Sequence, residues 1–134
     1  MSDQNTFNAV GWFEIPVTDM DRAVKFYEAA LGYKLDRHPM GPLEMAWLPM
    51  HEDAKGASGS LVKYAEFYKP STEGTLIYFT STTGNLNVDC EKVKAAGGQI
   101  QVPPKQISPD YGYMCVILDS EGNRIALHSR LAPS

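Results

Sequence analysis

The sequence contains two helix-forming stretches of similar pattern, about 66 residues apart, and short strand-forming stretches surround each of them. The first helix is expected to begin near Asp19, in the capping sequence TDMD, and to end at Gly32. The second is expected to follow the cap Asn85 and to end at Gly97–Gly98. In both stretches apolar residues recur at intervals of three and four, so each helix has one buried face. The chain is therefore limited to folds built from two similar halves.

Eight short stretches are expected to form strands. They are Ala9–Val17, Lys34–His38, Leu43–Leu48, Ser60–Ala65, Thr75–Ser81, Gln99–Val102, Tyr113–Leu118 and Arg124–Ser129. Polar segments rich in Gly, Pro or Ser are expected to be loops, namely Met50–Gly59, Tyr68–Gly74 and Pro103–Tyr111. The order of elements is strand, helix, three strands, and then the same again. We therefore predict an α+β fold in which two βαβββ modules form a concave, barrel-like mixed sheet with the helices on its convex side.

The length of 134 residues suits a single domain, with module one at about 8–70 and module two at about 72–131. The net charge of −4 and the lack of any Lys/Arg cluster argue against a nucleic-acid partner. No apolar run approaches the roughly 18 residues that a membrane span requires, and the start of the sequence is polar. Two cysteines cannot form a disulfide framework, so we expect a cytoplasmic protein with reduced thiols.

The stretch GWFEIPVTDMDRAVKFYEAALGYKL resembles the opening module of the vicinal oxygen chelate superfamily, which includes glyoxalase I, bleomycin-resistance proteins and extradiol dioxygenases. The closing stretch YGYMCVILDSEGNRIALHS is similar to the last hairpin of that family, with its turn at Asp119 to Asn123. The resemblance covers about residues 10 to 130 and implies a concave ligand site. Relatives commonly complete that site across two chains, and the outer sheet edges offer unpaired backbone groups, so we expect a homodimer.

Metal-dependent members of that superfamily hold one divalent ion with a His or Glu at four inward positions. By the same motifs, these positions fall in this sequence at Trp12, near Ser60, at Tyr78 and at Ala126. An indole and a methyl group offer no suitable lone pair, and a neutral phenol or hydroxyl is a weak donor. We therefore predict no cofactor, with a divalent metal as the alternative.

Strand alternation separates the face under the helices from the concave face. The residues expected under the helices are Phe13, Ile15, Val17, Ile77, Phe79, Ile125 and Leu127. Glu14 and His128 fall on the concave side, each two residues from a ligand position, and are our candidate catalytic residues. They could act as general acid and base or as a shifted metal site. The alternative is that Glu14 pairs with a lysine or arginine and His128 lies solvated at the rim.

The aromatic side chains Trp12 and Tyr78 are candidate ligand-binding residues, with Tyr113 and Trp47 as further candidates. Large rings also fill ordinary cores, but a concave surface is where ligands usually bind. Such a cavity suits a flat or apolar molecule with one polar or cationic group beside Glu14. We expect Cys115 to lie on the cavity side with Tyr113, whereas Cys90 belongs to the buried face of the second helix.

The sequence thus predicts a protein that binds a small organic molecule without a metal. One alternative is a lyase or isomerase of the glyoxalase-like group that works through Glu14 and His128. Another is sequestration of a drug or antibiotic, in which binding alone is the function. The sequence neither names the ligand nor decides whether the protein is an enzyme.

Overall fold

The computed structural model describes residues 8–134, in which two helices and eight strands are present. The helices are α1 (Met20–Leu31) and α2 (Leu86–Ala95). The strands are β1 (Phe13–Pro16), β2 (Asp36–Met40), β3 (Leu43–Trp47), β4 (Gly59–Lys63), β5 (Tyr78–Thr80), β6 (Gln99–Ser108), β7 (Gly112–Leu118) and β8 (Arg124–Ser129). The predicted order of strand, helix and three strands therefore occurs twice.

The strands form two four-stranded sheets, with the orders β1-β4-β3-β2 and β5-β8-β7-β6. In each sheet the strand before the helix pairs in parallel with the last strand, and the other pairs are antiparallel. The edge strands β1 and β5 face each other through side chains, without backbone pairing, so the two sheets do not close into a barrel. Their contact includes the rings of Phe13 and Phe79, whose centroids are 5.7 Å apart in an edge-to-face arrangement. We call this meeting line the seam. The topology confirms the predicted α+β fold class.

Both helices are capped by the residues that their sequence indicates. The Asp19 side chain accepts a hydrogen bond from the backbone N–H of Arg22, and the Asn85 side chain accepts one from Asn87. Gly32 ends α1 with φ 81°, a left-handed conformation that glycine adopts without a steric cost. Neither helix in residues 8–134 has the length and apolar character needed to cross a bilayer.

The main core lies between the helices and one face of the two sheets. It includes Phe26 and Tyr27 from α1, Val93 from α2, and Leu61 and Leu127 from the sheets, each at most 1% exposed. A smaller apolar cluster on the opposite face of the second sheet contains Met114, Val116 and Ala126, with Leu76 and Val102 packed against it. The expected alternation in β1 is confirmed, because Ile15 is buried under the helices while Glu14 is exposed.

Strand β6 is longer than predicted. It runs through Pro103 and Pro104 to Ser108, a stretch that the sequence indicated as loop. Proline is tolerated in this strand because β6 is the outer strand of its sheet, where amide groups on the free side need no partner. The register against β7 also shifts at three points, which is typical of bulges beside proline.

The turn between β7 and β8 docks on the N-terminus of α1 and joins the two halves of the chain. The Glu121 carboxylate accepts hydrogen bonds from the backbone N–H groups of Thr18 and Asp19, at 2.9 Å each, and from Arg22 Nε at 2.7 Å. Burial alone would raise the pKa of Glu121, but these hydrogen bonds outweigh it and hold the pKa at about 2. The positive end of the helix dipole favours the same charge.

Asp119, at the start of this turn, is also buried and bonded. It accepts hydrogen bonds from the Tyr27 hydroxyl and from the backbone N–H groups of Glu121 and Asn123. Burial, and then the charge of Asp119, raise the pKa of Tyr27 well above its usual value. The turn is therefore fixed both to the core of α1 and to its N-terminus.

Candidate functional site

A cleft of about 410 Å³ lies at one end of the seam, beside the N-terminal end of β1 and the C-terminal end of β5. Five aromatic rings line it: Trp12, Phe13, Tyr33, Tyr78 and Phe79. The loop between β3 and β4 forms the facing wall and brings His51, Glu52 and Lys55 to the cleft. We call it the aromatic cleft. The apolar ring surface, with mixed charge on one wall, suits a flat organic molecule that carries a polar group.

The Trp12 ring is supported from behind by two further rings. It meets Trp47 edge to face, with centroids 5.7 Å apart, and Trp47 stacks on His38 at 4.0 Å. Trp47 is thus a support for the cleft wall, because the residues that line the cleft include Trp12 but not Trp47. The three rings come from Trp12, directly before β1, from β3 and from β2, so the first sheet supports the position of Trp12.

Two buried polar groups beside this row lack hydrogen-bond partners within residues 8–134. They are the indole N–H of Trp47 and the hydroxyl of Ser60, which are direct neighbours across β3 and β4. A buried polar group without a partner usually costs about 1–3 kcal/mol. The first sheet therefore holds one indole N–H and one hydroxyl without described partners, close to the aromatic rings.

Tyr33 and Tyr78 define the opposite side of the aromatic cleft. The Tyr33 hydroxyl donates a 2.8 Å hydrogen bond to the backbone carbonyl of Thr80, which fixes the ring across the end of β5. Burial, together with the charge of Asp89, raises the pKa of Tyr33. Tyr78 is 51% exposed, so a ligand entering the cleft would cover apolar surface that now faces solvent.

Trp12 and Tyr78, which the sequence placed on one surface, therefore line one cleft in the structure. Sequence reasoning missed Tyr33 and assigned Phe13 and Phe79 to the helix side alone. These two phenylalanines do pack towards the core, but they also lie on the edge strands where the sheets part. The signal in the sequence that could have identified Tyr33 is its position directly after Gly32, the residue that ends α1.

Glu14 and His128 have separate partners. The Glu14 carboxylate accepts a 2.6 Å hydrogen bond from the Tyr68 hydroxyl, and this bond raises the pKa of Tyr68. The Nε2 atom of His128 lies 2.6 Å from the backbone carbonyl of Tyr111, to which it donates. None of the described hydrogen bonds or ion pairs joins the two side chains, and neither lines the aromatic cleft. Their assignment as an acid–base pair remains a prediction.

The expected facing of Cys115 is wrong. Cys115 is fully buried in the main core, and Tyr113 packs against the same core, on the helix side of the second sheet. Cys90 lies in that core as predicted. Hydrogen bonding to Cys90 and burial raise the pKa of the Cys115 thiol above its usual value. Tyr113 is accordingly not among the residues that line the aromatic cleft.

The side chains at the four positions where the resemblance implies metal ligands are a poor set for a divalent ion. Tyr78 and Ala126 are direct neighbours in the β5–β8 pair, and Ser60 is the neighbour of Glu14 in the β1–β4 pair. Together with Trp12 they offer an indole, two neutral hydroxyl groups and a methyl group, which is not a ligand set for such ions. Within residues 8–134, no three His, Cys, Asp or Glu side chains come together as a potential metal site.

A second cleft, of about 380 Å³, lies at the other end of the seam. Glu14 is part of its wall, together with Lys69, Glu73 and Arg124, and apolar side chains including Phe13 and Ile77 complete it. We call it the charged cleft. Sequence reasoning placed Glu14 in the same cavity as the aromatic residues, whereas the structure places it here.

The family of the chain follows from its sequence and from solved structures. Residues 9–127 match the Glyoxalase/Bleomycin resistance protein/Dioxygenase superfamily. No curated protein matches the sequence. The fold is similar to that of glyoxalase I from Zea mays, with a TM-score of 0.70 and 21% identity over 89% of this chain. The chain spans only 45% of that enzyme.

Two shorter bacterial proteins match over nearly their whole length. TnmS3, an antibiotic binding protein from Streptomyces sp. CB03234, is 25% identical, with a TM-score of 0.63 and coverage of 96% of this chain and 98% of that one. A glyoxylase/bleomycin resistance protein/dioxygenase domain from Frankia sp. EAN1pec is 17% identical, with a TM-score of 0.68 and coverage of 92% and 98%. The resemblance seen in the sequence is thus confirmed, and the chain belongs to the glyoxalase/bleomycin resistance protein/dioxygenase superfamily.

Proposed function

We propose that this protein binds a small, flat organic molecule in the aromatic cleft and that it does so without a metal. The observation that carries the proposal is the set of five rings around one opening of about 410 Å³. A planar molecule between such rings gains apolar burial and ring–ring contact, each worth about a kilocalorie or more per ring. The polar groups of the β3–β4 loop would orient it.

Binding alone is the function that we favour over catalysis. TnmS3, which is 25% identical over 96% of this chain, is an antibiotic binding protein, so this fold can serve as a binding protein of similar size. Sequestration of a drug or antibiotic is thus one form of the proposed function. The alternative, a lyase or isomerase that uses Glu14 and His128, needs the two groups on one substrate, whereas they bond to Tyr68 and Tyr111 respectively.

We further propose that the protein acts as a homodimer in the cytoplasm. Large apolar side chains such as Met40, Phe67 and Tyr111 are more than half exposed, and a second copy could cover them. The two thiols are free, as suits a reducing compartment. Light scattering at micromolar concentration should give twice the chain mass, and a mass near 14.8 kDa would count against the dimer.

The binding proposal is tested by titration of tryptophan fluorescence with quinoline and acridine. Decahydro-2-naphthol, which is uncharged and similar in size to quinoline but not planar, is the matched control ligand. We expect the planar compounds to bind and the Trp12→Ala and Tyr78→Ala variants to weaken binding at least tenfold. Tyr64→Ala, which removes a ring that contacts Phe67 elsewhere, is the control variant. Equal affinity for decahydro-2-naphthol and quinoline, or full affinity in Trp12→Ala, would contradict the proposal.

A further inference from the structure

The charged cleft differs in chemistry from the aromatic cleft at the other end of the seam. Its volume of about 380 Å³ is enclosed by the second half of β1, the start of β8 and the segment that precedes β5. Four charged side chains belong to its wall: Glu14, Lys69, Glu73 and Arg124. These charges are available to bind a ligand only if they are not already paired with one another.

Arg124 is a half-buried guanidinium without a counter-charge. Its Nη2 donates to the backbone carbonyl of Gly74 at 2.9 Å, whereas its Nε–H is buried and has no acceptor within residues 8–134. The ion pairs described in residues 8–134 involve Arg22, Arg37 and Lys94, and none of them includes Arg124. A partly buried arginine is usually paired, and its fork of donors fits a carboxylate.

The acidic wall of the same cleft also lacks a counter-charge. Glu14 accepts a hydrogen bond from the neutral Tyr68 hydroxyl at 2.6 Å, and no ion pair is described for it in residues 8–134. Lys69 donates to the backbone carbonyl of Ala65. Glu14 and Arg124 thus both belong to the wall of this cleft, and none of the ion pairs described in residues 8–134 includes either of them.

We infer that the charged cleft binds a small aliphatic zwitterion of the amino-acid type. Its carboxylate would lie against Arg124, its ammonium group against Glu14, and its hydrocarbon chain against Ile77 and Ile125, which are apolar parts of the wall. A simple anion would leave Glu14 unmatched, and a simple cation would leave Arg124 unmatched. This site is separate from the one under the proposed function and does not depend on it.

The inference is tested with L-leucine and two analogues that each lack one charge. These are 4-methylpentanoate, which lacks the amine, and 3-methylbutylamine, which lacks the carboxylate. Titrations followed by ¹H–¹⁵N NMR should shift the amide signals of Thr75, Ile77 and Arg124 on addition of leucine. Each analogue should bind at least tenfold more weakly, because it loses one charge-assisted contact. Leucine that binds no better than either analogue, or that shifts signals only elsewhere, would overturn the inference.

Two variants should each weaken leucine binding but leave the affinity for a different analogue unchanged. A loss of folding would weaken the binding of all three compounds. Arg124→Gln should weaken leucine at least tenfold and leave the affinity for 3-methylbutylamine unchanged. Glu14→Gln should weaken leucine as much and leave the affinity for 4-methylpentanoate unchanged. If Arg124→Gln fails to fold, Arg124→Lys retains the charge but not the fork, and we expect it to weaken leucine severalfold. Leucine affinity that is the same in every folded variant would refute the assignment.

The same titration separates this site from the aromatic cleft. Leucine should bind with equal affinity to the free protein and to protein saturated with acridine. If acridine does not bind at all, the proposed function fails while the leucine titration can still succeed. Competition between acridine and leucine would show that they share one cleft, and the inference would then be wrong.

Discussion

Replacing Glu121 by glutamine removes the negative charge from the joint between the β7–β8 turn and α1 while keeping its shape. In the folded protein the pKa of Glu121 is about 2, against an ordinary value of 4.5. Such a shift corresponds to about 3 kcal/mol of folding free energy at neutral pH. The Glu121 side chain is covered, but its partner Arg22 is 53% exposed, and solvent screens that part of the interaction. We therefore expect Glu121→Gln to lower the free energy of unfolding by about 2 kcal/mol at pH 7.

The pH dependence of this loss has a definite sign. Because the folded-state pKa of Glu121 is lower than the unfolded-state value, its contribution is complete above about pH 5 and declines as the pH falls towards 2. The stability difference between wild type and Glu121→Gln should therefore shrink to less than half between pH 7 and pH 3. The assay is urea unfolding at a series of pH values, followed by circular dichroism.

The matched control for this experiment is Glu44→Gln. Glu44 also forms an ion pair with an arginine, Arg37, at 2.9 Å, but both side chains are 44% exposed. We expect that variant to lose less than about 1 kcal/mol. A loss below about 0.5 kcal/mol in Glu121→Gln, or a difference that stays constant down to pH 3, would refute the reasoning.

Three further predictions concern packing, a buried hydrogen bond and metals. Gly98→Ala should destabilise the protein by about 2 kcal/mol in urea unfolding, because the new Cβ would lie 2.6 Å from the Leu118 carbonyl oxygen. Gly11→Ala is the control and should be nearly neutral, because open space surrounds that position. Tyr27→Phe should cost about 1–2 kcal/mol, because buried Asp119 loses a donor, and an unchanged urea midpoint would contradict this. Zn²⁺, Ni²⁺, Mn²⁺ and Fe²⁺ should leave the melting temperature nearly unchanged. A real metal site at a hundredfold excess of metal over Kd would raise the free energy of unfolding by about 2.7 kcal/mol, and the melting temperature by several degrees. A rise of that size that Glu14→Gln or His128→Ala abolishes would instead establish the shifted metal site.

The features that the sequence predicted well depend on residues close together in the chain. The limits of α1 follow from the cap Asp19 and the left-handed Gly32, which act within one turn of the helix. The facing of β1 follows from the contrast between polar Glu14 and apolar Ile15. Strand β7 shows where this reasoning fails. Both of its faces are apolar, since Cys115 enters the main core and Met114 enters the smaller cluster, so alternation gives no contrast to interpret.

The features that could not be predicted join residues that are far apart in the sequence. The partner of Glu14 is Tyr68, 54 positions away, on a segment without regular structure. The Glu121 carboxylate reaches Thr18 across 103 positions. The residues next to each carboxylate in the sequence do not indicate whether its hydrogen-bond partner will be an arginine, a tyrosine or the end of a helix. The division of the expected single cavity into two clefts likewise depends on how the edge strands meet.

The prolines in the outer strands have a consequence for how this protein behaves at high concentration. Pro39 lies in β2 and Pro103 and Pro104 lie in β6, the outermost strands of the two sheets. Each proline removes an amide hydrogen that an added strand would need, and exposed Lys105 places a charge on the same edge of β6. Proline and charge at these edges therefore disfavour the pairing of a further strand from another copy. If the protein forms the proposed homodimer, we therefore expect the two copies to meet through the sheet faces or the seam, by apolar side chains rather than by backbone groups.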